Sequence, residues 1–122
     1  MRDEARKKCP EMMFQVGDSA SLPFGDDSFD IVTVCMAYHH FPNQEKFRYE
    51  AFRVLKPSGK LYVCDPCFPW VIRKCINGIF SLSKVEARFY TPTEMILDFQ
   101  KNGFNVDKVI KDSYIQVATF KK

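Results

Sequence analysis

Apolar and polar positions along the chain fall into blocks whose period changes from one element to the next. Phe29-Asp30-Ile31-Val32-Thr33-Val34-Cys35-Met36 is nearly continuous in apolar and β-branched residues, which is the pattern of a strand buried on both faces, as in a parallel sheet. After Asn43, a residue suited to cap a helix, Phe47, Ala51, Val54 and Leu55 recur at i, i+4, i+7 and i+8 and make one apolar stripe. The stripe predicts a helix lying on a sheet. Lys56-Pro57-Ser58-Gly59 has Pro second and Gly fourth, the order of a tight turn, and feeds a strand over 60–64. Strand, helix, turn and strand form a βαβ unit, for which a right-handed crossover is expected.

The flanking segments extend this unit. Arg2–Lys8 is charged and helix-permissive and stops at Cys9-Pro10; it reads as the last turns of a helix that begins upstream. Residues 13–16 read as a short strand closed by Gly17-Asp18-Ser19, where Gly and Asp favour a turn. Trp70–Leu82 has helical periodicity weakened by Gly78. The following helix is the best specified: Thr91 caps it, Pro92 takes its first position, Glu94 completes a Thr-x-x-Glu capping box, and Asn102-Gly103 supply a left-handed stop onto which Phe104 packs back. Two closing strands, 105–111 and 114–120, are separated by Asp112-Ser113 and pair as an antiparallel hairpin. The order of elements predicts an α/β fold, a doubly wound and mostly parallel sheet with a C-terminal antiparallel hairpin.

Composition narrows the function classes. With 122 residues, 46% hydrophobic content and twelve Phe, the chain has the size and apolar content for a single domain over 1–122 with a core of its own. The formal charge of +3 is small, and the basic clusters Arg6-Lys7-Lys8 and Lys121-Lys122 sit at the ends rather than in a stripe, so no nucleic-acid partner is expected. Five cysteines, an odd number, together with the lack of a signal-peptide pattern, point to a reduced, cytoplasmic protein. The most apolar stretch, 68–82, is interrupted by Arg73, Lys74 and Asn77 and falls short of the ~20 apolar residues of a membrane span.

Taken in order, Gly17-Asp18-Ser19-Ala20, Leu22-Pro23-Phe24, Asp27-Ser28-Phe29-Asp30, His39-His40-Phe41, Arg53-Val54-Leu55-Lys56-Pro57-Ser58-Gly59-Lys60-Leu61 and Asn102-Gly103-Phe104 resemble the small-molecule class I S-adenosylmethionine-dependent methyltransferases, including the ubiquinone/menaquinone-biosynthesis type. Each piece is weak alone; the order and spacing carry the resemblance. It departs from the pattern at Ser58, where the family usually has Gly. The resemblance implies a Rossmann-like sheet of order 3-2-1-4-5-7-6, entered here in the helix before the third strand, so that the first two strands are expected to be lacking. It also implies S-adenosylmethionine as cofactor and a small-molecule methyl acceptor as substrate. The glycines stand at 17, 25, 59, 78 and 103, so the chain has no Gly-x-Gly loop through which a backbone could approach the cofactor's methionine part.

Residue by residue, the resemblance gives Asp18 the adenine amino group, Ser19 and Ala20 backbone donors to the ring, and Cys35, Met36 and Ala37 the wall of the methionine moiety. Asp18 alternatively shapes only its own turn, since Asp readily bonds nearby backbone amides. His39 and His40 follow on the same rim and are the candidate catalytic bases, because an imidazole titrates near neutral pH. Methyl transfer can also proceed by positioning alone. Cys64-Asp65-Pro66-Cys67 could supply two zinc ligands beside the histidines, but a lone Cys-x-x-Cys lacks a second pair and no metal is expected. Asp65 either faces the substrate or caps the next segment. Ile72, Ile76, Ile79 and Phe80, with the Phe68-Pro69-Trp70 corner and Phe89-Tyr90, either lie over the substrate by resemblance or pack against the sheet.

Two functions are compatible with these readings. In one, the chain is part of a methyltransferase and by itself lacks full cofactor binding and activity. In the other it is a non-catalytic α/β module that self-associates through an unpaired strand edge. In either case the segment 13–16 is expected to move against the central strand or pair with another chain, giving a homodimer.

Overall fold

The apolar run at 29–36 becomes the strand on which the rest is assembled. A computed structural model describes residues 2–83 and 87–122, as α1 (Arg2–Lys8), β1 (Phe29–Cys35), a 3-10 turn (Tyr38–His40), α2 (Gln44–Val54), β2 (Leu55–Pro66), α3 (Trp70–Leu82), α4 (Pro92–Gln100), β3 (Asn105–Asp112) and β4 (Ile115–Lys121). The sheet order is β1-β2-β4-β3, with β1 and β2 parallel and β4 antiparallel to both its neighbours. This order matches the last four places of 3-2-1-4-5-7-6. The chain thus has the partial Rossmann-like fold that the resemblance implies, with a mixed sheet.

Local signals explain most of the elements. Asn43 accepts the Lys46 N–H at 3.0 Å and starts α2. Thr91 and Glu94 form the full capping box of α4, and Gly103, at φ 91°, stops it while the Phe104 N–H returns to the Phe99 carbonyl. Phe47 and Ala51 of α2 and Met95 and Phe99 of α4 converge with Leu61, Val63, Ala118 and Phe120 on one face of the sheet. Phe99 and Phe120 stack at 4.4 Å. Burying such side chains contributes ~1.5–3 kcal/mol each. The opposite face, with Ile31, Thr33, Cys35, Tyr62 and Cys64, is exposed or half-buried.

Three expectations change. The turn 56–59 does not separate helix from strand. Helix α2 ends at Val54 and β2 begins at Leu55, with the four turn residues bulged inside it between the pairs Phe29↔Leu55 and Ile31↔Lys60. The left-handed residue of the bulge is Ser58 (φ 67°), whereas Gly59 is required for closeness, since a Cβ there would lie 2.8 Å from the Lys56 carbonyl oxygen.

Residues 13–16 form no strand, and Met13 and Val16 are 100% and 73% exposed. In the family order the third strand pairs with the second, which has no counterpart among the described residues, and a strand without a ladder leaves its amides to water. The segment has not moved against β1, whose outer edge is unpaired among the described residues. Finally, α3 has no buried residue, so its apolar series does not pack into the sheet; it stands instead over the rim at the C-terminal ends of β1 and β2.

Candidate functional site

The rim begins where β1 and β2 end side by side. The Met36 N–H donates to the Cys64 carbonyl at 2.7 Å, and Met36 turns the chain through a left-handed φ of 52° into the Tyr38–His40 turn. The turn puts Tyr38 and His39 inward and His40 outward. Tyr38 is fully buried against Phe47, Tyr90 and Phe99, and its hydroxyl accepts from Arg48 at 2.9 Å. Burial pushes its pKa up to about 12 against the pull of Arg48. Tyr38 therefore anchors the turn from below.

His39 is held from three sides. Its backbone N–H donates to Asp65 Oδ2 at 3.0 Å, and its Nδ1 lies 2.9 Å from Asp65 Oδ1. Its ring stacks on Phe89 at 4.8 Å. Asp65, 1% exposed at the end of β2, has its carboxyl pushed above the ordinary range by burial, against the opposing hydrogen bonds and charge of His39. An ionised Asp65 is an acceptor only, so it fixes the proton on Nδ1 and leaves the Nε2 lone pair of neutral His39 available. Reading the sequence left open whether Asp65 faces a substrate or caps a segment; here it does neither and orients His39. His40 is exposed, with its ring 4.1 Å from that of His39.

Two depressions flank this turn. A groove of about 580 Å³ runs along β1, lined by Ser19, Phe24, Phe29, Ile31, Cys35 and Ala37 among others. A cleft of about 660 Å³ under α3 is lined by His39, Gln44, Asn77, Phe80 and Arg88 among others. Phe41 borders both. The groove thus brings Ser19 together with Cys35 and Ala37, and the catalytic candidate His39 lines the cleft next door. Its outer wall, Leu22-Pro23-Phe24, is tied to α2 by Arg53, which donates to the Phe24 carbonyl at 2.9 Å and to Asp26 at 2.8 Å, and by Glu50, which accepts the Leu22 N–H.

Asp18 and Ala20 flank the groove without lining it. Asp18 Oδ1 accepts the Ala20 N–H at 2.8 Å, so this amide and this oxygen serve the turn. Met36, exposed, holds the rim through its own N–H. Among the described residues no three His, Cys, Asp or Glu side chains come together as metal ligands, and no helix is long and apolar enough to cross a membrane. Gln44 and Asn77 were not singled out from sequence. Their signal is weak, because each depends on partners that only the fold brings to it: Gln44 donates to the Tyr38 carbonyl and accepts from the Tyr90 hydroxyl, and Asn77 donates to the Phe89 carbonyl.

Comparison with known proteins gives this arrangement relatives. The family described as "Methyltransferase domain" matches residues 1–63. An uncharacterised methyltransferase of Schizosaccharomyces pombe is 33% identical over 74% of this chain and 39% of its own length. A demethylmenaquinone methyltransferase of Thermotoga maritima is 29% identical over 87% of this chain and 56% of its own. The crystal structure of the YcgJ protein of Bacillus subtilis superposes with a TM-score of 0.77 at 32% identity, covering 91% of this chain and 50% of that one. The chain spans about half the length of the relatives it matches.

Proposed function

From the premise that the chain belongs to the class I S-adenosylmethionine-dependent methyltransferases, carrying part of their domain, we propose that it supplies the acceptor side and the adenine side of a methyl-transfer site for a small molecule. The observation that carries this reading is the buried His39–Asp65 pair, set between an apolar groove and a polar-lined cleft. In this reading the acceptor lies in the cleft under α3. His39 takes a proton from its O, N or C nucleophile through Nε2, Asp65 holds the tautomer, and His40, exposed beside it, is the second base candidate.

The groove residues fit one half of the cofactor. Phe24, Phe29 and Ile31 offer an apolar wall to an adenine ring, and Ser19 and Asp18 stand at its mouth with the adjacent Ala20. Cys35, Met36 and Ala37 face the methionine end, where the chain holds no Gly-x-Gly to form a cradle. When bound, S-adenosylmethionine supplies an electrophilic methyl group. The chain's own contribution is to orient the acceptor, shield it under α3 and accept its proton; with half a cradle, the chain alone binds cofactor weakly and is inactive.

Calorimetric titration of the 122-residue chain with S-adenosylhomocysteine tests this. No saturable binding is expected from the chain, and micromolar binding from a chimera that adds the residues preceding the matched region of the Bacillus subtilis relative. Tight binding by the chain alone would overturn its incompleteness, and no binding by the folded chimera would overturn the site itself.

The outer edge of β1, unpaired among the described residues and with Ile31 57% exposed, supports a second reading, in which the chain self-associates as a non-catalytic dimer through this edge. Sedimentation equilibrium decides it: a dimer that Ile31→Lys dissolves supports the reading, and a monomer at high concentration removes it. A cytoplasmic location belongs to the proposal in either reading.

A further inference from the structure

The Cys-x-x-Cys at 64–67 draws attention in the sequence, yet the structure joins a different pair. Cys35 ends β1 and Cys64 lies in β2, and the two are direct partners in the parallel register. The Met36 N–H, one residue beyond, donates to the Cys64 carbonyl at 2.7 Å and fixes the two strands at this point. Neighbouring strands lie about 4.8 Å apart, inside the ~4.4–6.8 Å Cα separation that a disulfide accepts. Both side chains lie on the uncovered face of the sheet, with Cys35 exposed and Cys64 half-buried. Burial, and then the Cys35 thiol facing it, push the Cys64 thiol up. Cys67, by contrast, is 1% exposed.

We propose that Cys35 and Cys64 form a reversible oxidation site, closing to an intramolecular cross-strand disulfide when the chain meets a hydroperoxide. The exposed Cys35 reacts first: its thiolate sulfur attacks a peroxide oxygen, the O–O bond breaks, and Cys35 sulfenic acid forms with loss of water or alcohol after protonation. The Cys64 thiolate then attacks the sulfenic sulfur, the S–S bond forms, and water leaves. Two thiols are oxidised by two electrons and one hydroperoxide is reduced, so the atoms balance. A low-molecular-weight dithiol returns the pair to thiols by exchange. The site is independent of the methyltransferase reading, although Cys35 also lines the groove along β1.

The test uses the folded, reduced chain treated with a small excess of hydrogen peroxide. Free thiols, counted after quenching and denaturation, should fall from five to three, with an intact mass lower by two hydrogens and full recovery in dithiothreitol. Cys67→Ser, Cys9→Ser and Cys75→Ser should behave like the parent, while Cys35→Ser and Cys64→Ser should form no intramolecular bond. Cys35→Ala and Cys64→Ala serve as second variants, with circular dichroism confirming the fold. A bond that persists in Cys35→Ser, as a link from Cys64 to Cys67 would, overturns the assignment. So does oxidation that yields only bonds between chains, or only sulfinic acid without a bond.

Discussion

Replacing Asp65 by Asn separates what its carboxylate does for stability from what it does for His39. Asp65 is buried and accepts two hydrogen bonds from one residue, the His39 N–H at 3.0 Å and Nδ1 at 2.9 Å. Removing the acceptor altogether, in Asp65→Ala, leaves two buried donors unpaired at about 1–3 kcal/mol each, so a loss of roughly 2–6 kcal/mol is expected. Asp65→Asn keeps the shape and one acceptor. Its Oδ1 takes the His39 N–H, and its amide N–H then faces Nδ1, which must become an acceptor. The stability of Asp65→Asn should therefore lie within about 1 kcal/mol of the parent, while the imidazole proton moves to Nε2 and the base is disabled.

The pH dependence carries the sign. The folded-state pKa of Asp65 is raised, so the stabilisation tied to its protonated form is complete below the unfolded value of about 3.9 and is lost as pH rises through the folded value. Asn has no such ionisation. Asp65→Asn should thus gain on the parent as pH rises across this window and keep that gain, without further change, above it. Urea denaturation in a pH series measures the difference, and ¹⁵N chemical shifts of the imidazole report the tautomer. The reasoning fails if Asp65→Asn is as damaged as Asp65→Ala, if it loses ground to the parent as pH rises, or if His39 keeps its proton on Nδ1.

Further expectations concern the bulge and the α4 cap. Gly59→Ala places a Cβ 2.8 Å from the Lys56 oxygen and 3.1 Å from that of Asp30, both backbone atoms, and should cost about 1–3 kcal/mol in urea unfolding. Ser58→Gly should stabilise by up to about 1 kcal/mol, because a residue with a Cβ now sits at φ 67°. Thr91→Ala removes the acceptor for the Glu94 N–H and should cost about 1 kcal/mol, read from the thermal midpoint. Burial raises the Glu94 pKa, but its hydrogen bonds from Thr91 and the charge and hydrogen bonds of Arg73 outweigh this and lower it. Its contribution is therefore present above the unfolded value near 4.3 and lost as pH falls through the folded one, and Glu94→Gln should flatten that acid limb of the stability curve.

What the sequence makes legible and what it hides divide along the range of the interactions involved. Elements whose signals are local, such as the β-branched run of β1, the Asn43 cap and stripe of α2 and the Thr91–Glu94 box of α4, stand where periodicity and capping place them. The segment 13–16 has a strand-like composition but no ladder to join among the described residues, and a strand is defined by its neighbour more than by its own residues. Helix α3 is periodic, but periodicity cannot say whether an apolar stripe meets the sheet or roofs a cleft.

The site follows the same rule, and more sharply. Cys67 lies just beyond the end of β2 and is buried, so Cys64 and Cys67, close in sequence, differ in their surroundings, while Cys64 and Cys35, twenty-nine positions apart, share a face through the register. That register also carries Asp65, one position beyond Cys64, beneath the Tyr38–His40 turn that begins three positions beyond Cys35, and so brings it to His39. One parallel alignment therefore sets both the thiol pair and the His–Asp pair. A substitution that slips the β1–β2 register by a single residue would exchange the faces, and both pairs should be lost together, whereas a change in either side chain should leave the other pair intact.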